Sequence, residues 1–129
     1  MRPLHIDTNI YSRAMVGDPE VARILRLSDR IYISAVVIGE LLSGFKTGTR
    51  ERRNREQLFR FLDSPRVTIV NIGAGTADHY SSIYMELRKA GTPVPSNDMW
   101  IAAAAMESGS YLFSMDKHFD QVPGLLLIN

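Results

Sequence analysis

Cysteine is absent from all 129 residues. That removes disulfides, thiolate zinc sites and thiol nucleophiles together, and it fits a reducing compartment. Long apolar runs are missing too, since nothing approaches the roughly 20 residues needed to span a bilayer. The amino terminus, Met1-Arg2-Pro3-Leu4-His5-Ile6, meets an acid at Asp7 before the apolar core of a signal peptide can develop. These absences lead to the expectation of a soluble cytoplasmic protein without a membrane partner. Charge of one sign is equally lacking: 15 Lys and Arg face 14 Asp and Glu, for a formal net charge of +1. Bulk charge therefore neither announces nor excludes a nucleic-acid partner. No repeat, low-complexity tract or linker interrupts the chain, and 45% hydrophobic with 22% charged residues is ordinary globular composition. One domain covering residues 1–129, with a real hydrophobic core, is the expectation.

Charge is unevenly placed in one region. Arg50, Arg52, Arg53, Arg55, Arg60 and Arg66 lie close together against Glu51, Glu56 and Asp63. This is either a solvated helix face or a phosphate-facing patch that adds salt-dependent affinity without base specificity.

Short apolar runs alternate with amphipathic stretches, the pattern of an α/β domain with a parallel sheet. Strands are expected at Leu4–Ile6, Ile31–Ser34, Val67–Val70, Tyr111–Phe113 and Leu125–Ile128. Asp18-Pro19-Glu20 reads as a helix start, with a cap, a first-turn proline and an acid at the positive helix end. Val37, Ile38, Leu41, Leu42 and Phe45 form the buried stripe of the next helix, ended by Gly44 or Gly48. The arginine-rich helix finishes on Leu58, Phe59, Phe61 and Leu62. Tyr80, Ile83, Tyr84 and Leu87 make another stripe, stopped by Gly91 and Pro93. Residues 99–106 are apolar on every side and predict a buried helix.

Four acids stand out against this frame. Asp7 directly follows the first strand and Asp116 closely follows the fourth, while Glu40 sits early in the helix after the second. In a parallel sheet with right-handed crossovers, the carboxyl ends of the strands share one edge, where ligands bind. Asp98 joins that edge if its helix starts there. Each acid also has an innocent reading. Asp7 suits a cap for a helix near Thr8, Asn97 or Asp98 for the helix at Met99, and Asp116 a turn. Glu40 is harder to dismiss, because it lies at the margin of an apolar stripe with no Lys or Arg three or four residues away. Converging carboxylates repel one another, and a divalent cation reverses that penalty. With oxygen ligands only and no cysteine, the hard ions Mg2+ and Mn2+ are the natural candidates. Such an ion can hold a phosphodiester and activate a water against it.

The combined pattern resembles the PIN domain, and within it the VapC-type toxins of toxin–antitoxin pairs. The resemblance is carried by Asp7-Thr8-Asn9-Ile10, the run from Ser34 to Glu40, Asn97-Asp98-Met99-Trp100-Ile101-Ala102-Ala103-Ala104 and Ser114-Met115-Asp116-Lys117-His118-Phe119. It implies a five-stranded parallel sheet in the order 3-2-1-4-5 with helices on both faces. It also implies a magnesium-dependent endoribonuclease leaving a 5′-phosphate and a 3′-hydroxyl. Asp7 and Asp98 would be metal ligands, and Glu40 and Asp116 would bind a second ion or orient the attacking water. Thr8 and Asn9 would hold the first loop and Ser114 would hydrogen-bond a carboxylate; serine stands there where the family more often has threonine or asparagine. The implied partners are RNA, a second copy in a homodimer and a VapB-type antitoxin.

Other readings differ in what they require. An aspartyl-nucleophile phosphatase needs a second acid two residues after the first, where this chain has Asn9. A phospho-accepting receiver needs adjacent acids after its first strand. An RNA-processing PIN nuclease outside a toxin–antitoxin pair, or a PIN-like binding module without activity, remains in play. His118 reads as incidental in its loop, His79 as structural and Trp100 as packing. Gly73-Ala74-Gly75 is too short for a phosphate cradle and lacks the lysine of a P-loop.

Overall fold

The computed structural model describes residues 2–129. Five parallel strands, β1 (Leu4–Ile6), β2 (Ile31–Ser34), β3 (Val67–Val70), β4 (Tyr111–Phe113) and β5 (Leu127–Ile128), form one sheet. Their order is β3-β2-β1-β4-β5. β1 is central, with Ile6 aligned to Ile33 on one side and to Phe113 on the other. Successive strand residues point to opposite faces, yet Leu4, His5 and Ile6 are all fully buried, so both faces are covered. The chain steps from β1 to β3 in one direction and returns through β4 in the other. Right-handed crossovers place the helices of those two halves on opposite faces.

Six α-helices make the connections: α1 (Thr8–Met15), α2 (Pro19–Leu27), α3 (Ala35–Thr47), α4 (Glu51–Leu62), α5 (Ala74–Ala90) and α6 (Ser96–Glu107). Their ends follow local chemistry. Asp18 accepts hydrogen bonds from the backbone N–H of Glu20 and Val21, with Pro19 opening α2. Ser34 accepts from Val37 N–H at 3.2 Å and caps α3, which ends at Gly48 while Gly44 stays inside the helix. Gly91, at φ +68°, ends α5 in the left-handed conformation that glycine takes without strain. Among the described residues no helix is long and apolar enough to cross a membrane.

α6 buries Met99 and Ile101 through Ala105, as its all-round apolar sequence predicts. Trp100 stacks on Tyr80 of α5, with ring centroids 4.1 Å apart, so its indole packs between helices. Glu107 at the end of α6 accepts a 2.5 Å hydrogen bond from the Thr76 hydroxyl near the start of α5, and Gly75 leaves room for its carboxylate.

Four expectations need correction. β5 is shorter than expected, Leu127–Ile128 rather than Leu125–Ile128: at the sheet edge only Leu127 and Ile128 pair, with Leu112 and Phe113 of β4. Tyr84 is 46% exposed and leaves the α5 stripe, which buries Thr76, Ile83 and Leu87; its hydroxyl meets the Arg88 guanidinium instead. Neither Asn97 nor Asp98 caps α6, since Pro95 occupies that position and both lie in the first turn. Arg66 does not belong to a phosphate-facing patch. Its guanidinium hydrogen-bonds the carbonyls of Leu25 and Ser28 and closes the end of α2.

His5 is a misfit in the central strand. It is fully buried, and neither ring nitrogen meets a hydrogen-bond partner. Burial lowers its pKa from 6.5 to about 4. The unfolded chain therefore binds the proton more readily, and this contribution to stability is complete above pH 6.5 and lost as pH falls toward 4. His5→Leu should remove both the orphaned donor and the acid sensitivity. Thermal unfolding at pH 7 should show a gain of about 1–3 kcal/mol. An unchanged or lower melting temperature would mean that the imidazole has a partner after all.

Candidate active site

The strand order reverses between β1 and β4, and a parallel sheet opens a crevice at such a point. Asp7 leaves β1 there and is only 4% exposed. Its Oδ1 accepts from Ile10 N–H at 3.1 Å, so it caps α1, while its Oδ2 accepts from the Ser114 hydroxyl. Ser114, just beyond β4, also accepts from Asp116 N–H at 2.9 Å. Asn9 Oδ1 accepts from Met115 N–H at 3.4 Å. These bonds tie the loop after β1 to the loop after β4.

Two helices bring the other acids. Glu40, on the second turn of α3, accepts from the Thr8 hydroxyl at 2.5 Å and from the Asn97 amide at 3.3 Å. Asp98 enters from the first turn of α6, because that helix begins at the carboxyl edge. Asp116 caps a short 3-10 helix, Lys117–Gln121, by accepting from His118 N–H at 2.9 Å. His118 Nδ1 lies 2.9 Å from Asp98 Oδ2 and 3.3 Å from Asp116 Oδ1. Asp7, Glu40, Asp98 and Asp116 together line one cleft of about 410 Å³, with Thr8, Asn9, Ser12, Arg13 and Ile101. At its margin, ligand atoms of Asp98, Asp116 and the neighbouring His118 all fall within 4.8 Å of one another. Asp7 and Glu40 line the same cleft outside that tightest set.

Burial pushes the Asp7 carboxyl up to about 6. The hydrogen bonds from Ser114 and Ile10 oppose the rise, and the charges of Asp116 and Asp98 add to it. Asp98 is also raised, first by burial; the His118 hydrogen bond opposes the shift, and Asp116 and Glu40 reinforce it. The side chains are thus short of positive charge. Acceptor-only oxygens converging from four elements are the donor set that a hard divalent cation takes, so these residues fit one.

A model of the PIN domain matches residues 4–125. The chain belongs to the PIN domain family. Among curated proteins, Ribonuclease VapC2 of Rickettsia felis is 29% identical over 129 residues, covering 96% of this chain and 95% of that protein. Among solved structures, VapBC2 from Rickettsia felis bound to a DNA fragment from its promoter superposes with a TM-score of 0.88. That match has 27% identity and covers 98% of both chains. DNA-bound VapBC from Salmonella typhimurium also reaches 0.88, at 26% identity, over 99% of this chain and 98% of that one.

Three residues in or beside this PIN domain cleft are not among the expected site residues: Arg13 lines it, while His118 and Asn97 touch its acids. His118 carries a visible signal in its spacing from Asp116, which a turn converts into proximity. Asn97 adjoins Asp98, yet its bond to Glu40 joins positions 57 residues apart. Arg13 gives no signal beyond lying one turn and a half after Asp7 on α1. Thr8 has a different task from the expected one: it opens α1 and holds Glu40 rather than its own loop.

The raised pKa of Asp7 has a stability consequence. The folded state binds the proton more readily, so this contribution is complete below pH 4 and lost as pH rises through about 6. Asp7→Asn, without divalent ions, should therefore stabilise the fold at pH 7.5 by up to about 3 kcal/mol, and the gain should vanish near pH 4. Its stability should then fall on acidification, with the opposing His5 effect uncovered. Chemical denaturation of both proteins across pH 4–8 checks this, and a destabilised variant at pH 7.5 would refute it.

Proposed function

We propose that this PIN domain is a magnesium-dependent endoribonuclease, the toxin of a VapBC-type pair, with Mn2+ able to replace Mg2+. The observation that carries the reading is the meeting of Asp7, Glu40, Asp98 and Asp116 in one cleft at the carboxyl edge. Its support is the likeness to VapC ribonucleases and to VapBC complexes over nearly the whole chain. Asp7 and Asp98 would hold the ion. Glu40 and Asp116 would complete the site, taking a second ion or orienting the attacking water through a carboxylate oxygen. When bound, a divalent cation supplies Lewis acidity toward the phosphodiester and lowers the pKa of water.

The remaining roles fall to side chains whose contacts are described above. Ser114 fixes the rotamer of Asp7 and joins it to the Asp116 loop. Thr8 and Asn97 aim the Glu40 carboxylate, and Asn9 keeps the two loops in register. Arg13 is the one Lys or Arg lining the cleft among the described residues, and Asp18 steadies its guanidinium at 3.3 Å. Half exposed, it retains N–H groups to receive an RNA phosphate that would otherwise meet only acids. A VapB-type antitoxin, a homodimer and a cytoplasmic setting belong to the same proposal.

The test is cleavage of total cellular RNA by purified, antitoxin-free protein. Discrete fragments should appear with Mg2+ and vanish both in EDTA and with Asp7→Asn, whose kcat should fall at least about 100-fold. Cleavage indifferent to both controls would identify a contaminant. No cleavage by folded protein would move the reading to a PIN-like binding module. Arg13→Gln should raise KM for RNA several-fold with kcat within about threefold, and should lower the slope of log affinity against log salt by about one. An unchanged salt slope would remove Arg13 from the RNA path.

A further inference from the structure

Asp98 and Asp116 do not face each other alone. The His118 ring completes a three-sided arrangement with them, its Nδ1 2.9 Å from one carboxylate oxygen and 3.3 Å from the other. Ligands about 2.1 Å from an octahedral ion stand about 3 Å apart when adjacent and about 4 Å apart when opposite. The two Nδ1 separations fall near the adjacent-ligand spacing, and one atom from each of the three residues lies within 4.8 Å of the others.

The position of the ring is built into the turn. Asp116 N–H is held by Ser114, and His118 N–H by the Asp116 carboxylate, at 2.9 Å each. Phe119, the next residue, is 2% exposed and anchors the turn in the core. The imidazole is thus presented from the same rigid segment that presents Asp116, toward an acid arriving on α6. An ordinary exposed ion pair contributes little to stability and requires no such anchoring.

We infer that His118 is a nitrogen ligand of the cation at Asp98, on the side that Asp116 completes, and that it turns the preference of this site from Mg2+ toward Mn2+. The inference rests on the metal-dependent reading above and deepens it. Mg2+ favours oxygen ligands and keeps its waters, whereas Mn2+, although also at home among carboxylates, accepts an imidazole nitrogen more readily than Mg2+ does. A site of carboxylates alone discriminates weakly between Mg2+ and Mn2+. Exchanging one oxygen for Nδ1 raises Mn2+ affinity selectively.

The experiment needs no RNA. Metal-free full chain is titrated with Mn2+, free ion is followed by electron paramagnetic resonance, and Mg2+ is added as competitor. His118→Asn places an amide oxygen near the Nδ1 position, His118→Ala leaves that ligand position empty, and metal-free melting curves confirm that both fold. In His118→Asn the preference for Mn2+ over Mg2+ should drop about tenfold, with Mg2+ affinity within about twofold of the original. In His118→Ala, Mn2+ affinity should fall at least as far. Bound Mn2+ should show electron spin-echo modulation from a coupled nitrogen in the original chain and none in either variant. Saturable Mn2+ binding without that coupling, and with the preference unchanged by His118→Asn, would overturn the inference and leave the proposed function standing. No saturable Mn2+ binding at millimolar ion would overturn both.

Discussion

The Asp7 carboxylate ends the central strand in a place that admits almost no water, and the surrounding structure is arranged around that constraint. One oxygen is satisfied by the start of α1 and the other by Ser114 at the end of β4. The two bonds make Asp7 at once a helix cap and a clasp between neighbouring strands. They do not offset its burial fully, as its raised pKa records. The domain therefore keeps a destabilising charge at the point where its sheet reverses direction, and Asp98 and Asp116 add to the strain.

His5, two residues earlier, carries the opposite imbalance. Burial lowers the pKa of its ring to about 4, while burial pushes the Asp7 carboxyl up to about 6. Between about pH 4 and 6 the two effects tilt stability in opposite directions by similar amounts. The burdens differ because His5 lies inside the central strand, enclosed by the core, whereas Asp7 lies just past the strand end and lines the cleft.

The scaffold is legible in the chain because its rules are local. Asp18-Pro19 opening α2, Ser34 capping α3, Gly91 ending α5 and the all-round apolar run of α6 each act within a turn or two of their own position. The departures arise where a distant neighbour decides. β5 pairs only with β4 at the sheet edge, Tyr84 stands 46% exposed with its hydroxyl on Arg88, and Arg66 caps a helix that ended some forty residues earlier.

The site divides along the same line. Strand order and right-handed crossovers place Asp7, Glu40 and Asp116 at one edge before any coordinates are known, because those rules depend only on chain direction and handedness. Who touches whom is a different matter. Thr8 reaches Glu40 across 32 residues, Asn97 reaches it across 57, and His118 reaches Asp98 across 20. A hydrogen bond discriminates over tenths of an ångström, and separations of that kind are set by how α1, α3 and α6 pack on the sheet. By itself the sequence determined the element types, the sheet edge and the acids that would gather there, through short-range periodicity and capping. Only the tertiary structure decided which acid is buried, which partners hold each carboxylate and that a histidine stands among them, because long-range packing sets those distances.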